Sequence, residues 1–139
     1  MLFVANWKMA MNSLDIAHFF TDSKTVLSHV ELPSSAELVI MPSFPYLFEV
    51  GHWIRRFEQN WSLGAQNVSV NCEAASTGEV SPKMLSEFGV KYVCVGHSER
   101  RYNQNEDHYM IAQKLKMCID NHLVPILCVG ESLHDNQDG

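Results

Sequence analysis

Tyr92-Val93-Cys94-Val95-Gly96-His97-Ser98-Glu99-Arg100-Arg101 passes from apolar to ionisable in a single step. Tyr92 to Val95 favours β structure and carries no charge, as a strand buried on both faces does. Gly96 ends it, and an imidazole, a hydroxyl, a carboxylate and two guanidiniums follow in succession. Acid and base groups at the end of a rigid strand are well placed for chemistry. Taken alone, the stretch reads equally well as a solvated loop, because a single histidine is commonly structural. Its neighbours along the chain separate the two readings.

Upstream, Leu2 to Ala5 is a short apolar run ending at Asn6-Trp7-Lys8-Met9. Asn12 or Ser13 can cap a helix with Asp15 in its first turn, and Ile16, Phe19, Phe20, Val26, Leu27 and Val30 recur at helical spacing. Leu38 to Met41 is a second strand, stopped by Pro42. Ser43 and Pro45 open another helix, whose stripe is Leu47, Val50, Trp53, Ile54 and Phe57. Ser62 to Gln66 is a weaker third strand. A long loop of small and polar residues runs from Val68 to about Ser81, and a loop of that length is usually functional or an interface. Ser81-Pro82 starts a short helix with Met84, Leu85 and Phe88 inward, closed by Gly89. Past His97, a helix beginning near Asn105-Glu106-Asp107 shows Tyr109, Ile111, Ala112, Leu115, Cys118, Ile119 and His122 on its expected buried side. Val124 to Val129 is the fifth strand, with Pro125 at its start, and it ends at Gly130-Glu131. The tail, Asp135 to Gly139, is polar.

Strand and helix therefore alternate, and the clearer strands are continuous apolar runs. That combination indicates a parallel sheet covered on both faces. Asn6, Lys8, Gln66, Asn67, His97, Glu99 and Glu131 all follow strands at their C-terminal ends. A parallel sheet gathers those ends at one edge, so the polar groups converge on a site.

The totals agree with one domain spanning 1–139. With 139 residues, 46% apolar and 19% charged, the chain is ordinary for a globular fold. A net charge of −6 argues against a nucleic-acid partner. No run is long enough to cross a membrane. The N-terminal apolar run is too short for a signal peptide. Cys72, Cys94, Cys118 and Cys128 form no C-x-x-C pair, so zinc and thioredoxin-like readings fail and no metal is expected. A reducing cytoplasmic setting is the simplest one for such cysteines.

Two α/β architectures fit the alternation: an open doubly wound sheet and a (β/α)8 barrel. The first turn, Asn6-Trp7-Lys8-Met9, lacks the glycine fingerprint with which open sheets bind dinucleotides, and no Walker motif is present. Spacing alone leaves both open.

Five motifs choose between them. Asn6-Trp7-Lys8-Met9, Ala65-Gln66-Asn67, Thr77-Gly78-Glu79, Gly96-His97-Ser98-Glu99-Arg100-Arg101 and Cys128-Val129-Gly130-Glu131, taken together and in order, resemble the triosephosphate isomerase family. The resemblance covers nearly the whole chain. Ala5, Ala10-Met11, Ala74 and Ser76 depart from the family pattern without removing a charged group.

The resemblance implies a TIM (β/α)8 barrel, here in its N-terminal portion of about five βα units. It implies an isomerase of glycolysis and gluconeogenesis that interconverts dihydroxyacetone phosphate and glyceraldehyde 3-phosphate through an enediolate. It also implies that no cofactor is used and that the enzyme is a homodimer. His97 then corresponds to the electrophile. In this family a helix N-terminus keeps the catalytic histidine neutral, and the resemblance implies the same state for His97. Lys8 corresponds to the active-site cation and contacts substrate, and Asn6 to a substrate hydrogen-bond donor. Glu99 is expected to hold Lys8 in place, and Glu131 to brace the barrel end. Thr77, Gly78 and Glu79 correspond to the tip of the loop that enters a neighbouring subunit.

A complete barrel has eight strands and roughly 250 residues, whereas five strands are legible here. The family's general base, a glutamate after the sixth strand, has no counterpart among these motifs. The chain alone is thus expected to expose sheet edges and to lack turnover. The alternative expectation is a non-catalytic half-barrel that serves as a binding or assembly module.

Overall fold

A computed structural model describes residues 1–131 except 28, 30–32, 58 and 74. Val30, Ala74 and the polar tail lie outside the described residues, as does the side chain of Leu27. The order is β1 (Leu2–Asn6), α1 (Ser13–Leu27), β2 (Glu37–Met41), a 3-10 turn (Phe44–Tyr46) running into α2 (Leu47–Arg56), β3 (Trp61–Ala65), α3 (Pro82–Glu87), β4 (Tyr92–Val95), α4 (Ser98–Asn103), α5 (His108–Asp120) and β5 (Val124–Leu127).

The five strands form one sheet in the order β1-β2-β3-β4-β5. Every neighbouring pair is parallel. A doubly wound sheet reverses its strand order at a switch point. This sheet does not reverse, so the open-sheet alternative falls and the barrel stands. Curvature supports the same choice. In a flat sheet, β1 and β4 would lie about 14 Å apart, three strand spacings. Yet Lys8, just past β1, reaches Glu99, just past β4, at 2.7 Å. The sheet is curled, and the described residues form part of a TIM barrel wall.

Period-two alternation sorts the side chains. Ile40, Leu63, Ala65, Val93 and Val95 face outward into the main core with Ile16, Phe20, Leu47, Val50 and Leu85 from the helices. Val39, Met41, Tyr92 and Cys94 face inward. Gly64 also faces this crowded inner wall, where a Cβ would stand 2.7 Å from side-chain carbons of Val39 and Met41. Over the outer face, α1 and α2 interlock through aromatic rings. Phe20 stacks on Trp53 with centroids 5.5 Å apart, and Phe57 lies 4.4 Å from Trp61. Such pairs add about 0.5–1.5 kcal/mol beyond their burial.

The inner face turns polar at the N-terminal ends of the strands. Glu37 there accepts from Lys91 Nζ at 2.6 Å, Ser62 Oγ at 2.5 Å and Tyr92 Oη at 2.9 Å. These bonds, Lys91's foremost, push the Glu37 carboxyl down to about 2.

Both edge strands are uncovered among the described residues: Phe3 in β1 is 49% exposed and Leu127 in β5 is 42% exposed. No helix among the described residues is long and apolar enough to cross a membrane.

Several expectations need correction. In α3 only Leu85 of the proposed trio is buried, while Met84 and Phe88 are exposed, because six residues present a single inward row. In α1, Val26 is exposed. In α5, Tyr109, Ala112 and Ile119 are exposed, His122 lies exposed just past the helix, and the inward row is Ile111, Lys114, Leu115 and Cys118. A buried lysine displaced the expected stripe. β5 ends at Leu127, where pairing with Val95 ends, and Val129 is exposed. Between His97 and the helix expected near Asn105 lies a further short helix, α4, which the sequence reading did not include.

Candidate active site

The C-terminal strand ends meet in an open cleft of about 600 Å³, lined among others by Asn6, Lys8, Gln66, His97 and Glu99. That volume suits a small ligand.

His97 is presented by a glycine turn. Gly96 has φ of 69°, and a Cβ there would stand 2.9 Å from Arg101 Nη2. Only glycine satisfies both conditions. Arg101 locks the turn by donating from Nε to the Gly96 carbonyl at 2.7 Å and from Nη2 to the Cys128 carbonyl at 3.0 Å. His97 then caps α4, its Nδ1 accepting from the Glu99 backbone N–H at 3.2 Å. The Glu99 carboxylate lies 3.6 Å from Nδ1, too far for a hydrogen bond. Nδ1 is therefore an acceptor and the ring proton sits on Nε2. In that tautomer Nε2–H is a hydrogen-bond donor.

Lys8 adopts φ of 51°, a left-handed conformation that a non-glycine residue holds only when its surroundings impose it. The constraints are visible. Asn6 Oδ1 accepts from the Lys8 backbone N–H at 3.0 Å. Gln66 Nε2 donates to the Lys8 carbonyl and to the Met41 carbonyl, each at 2.9 Å. Gln66 thus ties the ends of β1 and β2 from the end of β3. The ammonium then meets Glu99 Oε1 at 2.7 Å, and this bond holds the Glu99 carboxyl below its usual range. Glu99 is ionised and engaged with Lys8.

Of the residues named from sequence, Asn6, Lys8, His97 and Glu99 are brought together in this cleft. Thr77, Gly78 and Glu79 are not. They form an exposed turn away from the cleft, with Gly78 at φ of 83° and Glu79 N–H donating to the Ser76 carbonyl.

The sequence reading missed the support beneath. Glu106, 4% exposed, bonds both Arg100 Nε and Lys114 Nζ, and Lys114 also donates to Asn67 Oδ1 at 2.7 Å. Burial opposes ionisation of Glu106, but the Lys114 and Arg100 bonds outweigh it and bring its carboxyl down. This network joins α4, α5 and the turn after β3. Its only sequence signal was a lysine on the Ile111–Cys118 row.

An imidazole N–H donor beside a fixed ammonium can stabilise negative charge developing on a substrate oxygen. Among the described residues that line the cleft, the one carboxylate, Glu99, is engaged with Lys8.

Comparison with known proteins places the chain in a family. A family model described as Triosephosphate isomerase matches residues 1–139. The chain is similar to the triosephosphate isomerase of Buchnera aphidicola subsp. Baizongia pistaciae, 40% identical over 134 residues, or 96% of the chain and 52% of that relative. The Carboxydothermus hydrogenoformans protein of the same name is 41% identical over 134 residues, covering 96% of the chain and 51% of the relative. The Thermus thermophilus one is 38% identical over 138 residues, covering 99% and 53%. The chain spans about half the length of the curated relatives it matches.

Proposed function

The chain belongs to the triosephosphate isomerase family, and from that premise we propose that it supplies the electrophile-and-lysine half of a site interconverting dihydroxyacetone phosphate and glyceraldehyde 3-phosphate. The observation that carries this reading is the Lys8–Glu99–His97 group, assembled from the ends of β1 and β4. His97 Nε2–H polarises the substrate carbonyl and stabilises the enediolate oxygen. Lys8 offsets the charge of the enediolate and of the phosphate. Asn6, already turning Lys8 through its Oδ1, directs its amide N–H groups at substrate. Glu99 keeps the ammonium in place rather than removing a proton. No metal or organic cofactor enters this chemistry.

The reaction also needs a base for the carbon-bound proton, and the described residues of the group offer none. The 139 residues by themselves therefore have negligible turnover. Assay of the purified chain with glyceraldehyde 3-phosphate tests this, and a rate near that of a full-length relative overturns it. The exposed turn Thr77-Gly78-Glu79 is the contact by which the whole enzyme would pair as a homodimer in the cytoplasm. The uncovered edges of β1 and β5 favour a second reading, an assembly module without catalysis. A chain that restores no activity when joined to the remaining half of a relative would support that reading instead.

A further inference from the structure

The inner face of the sheet carries a pair of groups that the proposed reaction does not use. Cys94 in β4 and Cys128 just past β5 lie on that face beside Val39, Met41, Tyr92 and Ile126. Both are free thiols, and their sulfurs are 3.5 Å apart. Cys94 is buried and Cys128 half-buried. The backbone beneath them is fixed. Val95 pairs with Leu127, Cys128 N–H donates to the Val95 carbonyl at 2.9 Å, and Arg101 ties Gly96 to Cys128.

The sulfur separation narrows the chemistry. A disulfide requires sulfurs about 2.05 Å apart, so oxidation would have to close about 1.5 Å between strands held in register. An atom bonding two thiolates at about 2.3 Å in near-tetrahedral geometry spans about 3.7 Å between sulfurs, close to the separation present. Among the described residues, no group of three or more His, Cys, Asp or Glu could hold a metal ion. The bridging atom must therefore bring its own third substituent.

We propose that Cys94 and Cys128 form a binding site for trivalent organoarsenicals, whose pyramidal arsenic takes two sulfurs and keeps one carbon group. Two arsenic–sulfur bonds form. The two thiol protons leave with the oxygen of the arsine oxide as one water, and arsenic stays trivalent throughout. Half-exposed Cys128 reacts first. The second bond closes within the chain, at an effective thiol concentration that a dilute monothiol cannot match. Burial, helped by the contact with Cys128, pushes the Cys94 thiol up to about 12. It stays protonated at neutral pH and resists reagents that need a thiolate. The arsine oxide accepts that proton on its own oxygen. Once formed, the bridge fastens β4 to β5 beneath the turn that presents His97.

The test adds phenylarsine oxide to the intact 139-residue chain, followed by mercaptoethanol, with mass measurement and peptide mapping. One phenylarsenic group per chain is expected, mapped to Cys94 and Cys128, stable to mercaptoethanol and removed by ethanedithiol. Cys94→Ala and Cys128→Ser should each lose the stable adduct, while Cys72→Ser should keep it. Should either loss variant fail to fold, mapping of the unaltered chain and loss of Cys128 alkylation after arsenical treatment decide the matter. Failure to label, an adduct that the monothiol strips, or mapping to Cys72 or Cys118 overturns the proposal.

Discussion

Two backbone positions hold the candidate site, and each carries a left-handed φ: Lys8 at 51° and Gly96 at 69°. At Gly96 the requirement is absolute in kind, since a methyl group meets both an unfavourable φ and the Arg101 guanidinium. Gly96→Ala should lower stability by about 1–3 kcal/mol, read as a fall in the urea midpoint, with displacement of His97 from α4. At Lys8 the strain is tolerated because Asn6 and Gln66 hold the backbone. Lys8→Ala, placed in a hybrid in which residues 1–139 replace the matching half of a relative, should lower kcat and raise KM together. Unchanged kinetics would remove Lys8 from the site. His97, Lys8 and Glu99 were legible in sequence because each follows a strand end, where a parallel sheet gathers side chains. Gln66 was visible as a strand-end polar residue, but not its double role, because hydrogen bonds to two carbonyls leave no mark on sequence spacing.

At the scale of elements, the helical stripes of α2 and the apolar runs of β2 and β4 were legible because burial there follows simple periodicity. α5 was misjudged where charge sits inside. Lys114 occupies a buried row position because Glu106, at the loop before the helix, neutralises it. Glu106→Leu alone would leave that ammonium uncompensated and should cost about 3–5 kcal/mol. Adding Lys114→Met should recover most of the loss, since both members of the pair are then apolar. Urea unfolding of the two variants checks this, and an additive double variant would contradict the coupling. The Glu37 cluster at the opposite end of the strands escaped the sequence reading, because its members come from β2, β3, β4 and, for Lys91, from just before β4. It gives a pH signature. Glu37 titrates lower in the folded state than in the unfolded chain, so its ionised form stabilises the fold. That stabilisation is complete above about 4.5 and is lost as pH falls toward about 2. Glu37→Gln should flatten the acid limb of a stability–pH curve, and an unaltered limb would show that the cluster contributes nothing.

For the molecule as a whole, the sequential parallel order of five strands and the curl that joins Lys8 to Glu99 set the architecture. Alternating strands and helices could not select a barrel over an open sheet, because both share that pattern. Strand order separates them, and order is a tertiary property. The same curl leaves apolar edges at β1 and β5. Uncovered edges template pairing, so sedimentation of the purified chain should show concentration-dependent self-association, whereas a monomer at all concentrations would contradict it. The central claim is that His97, delivered by β4, is the electrophile of an isomerase site. The most direct measurement is the isomerase rate of the hybrid described above, with and without His97→Gln. An active hybrid whose rate falls about 10²–10³-fold in the variant is the expected result; equal rates in the two would contradict it.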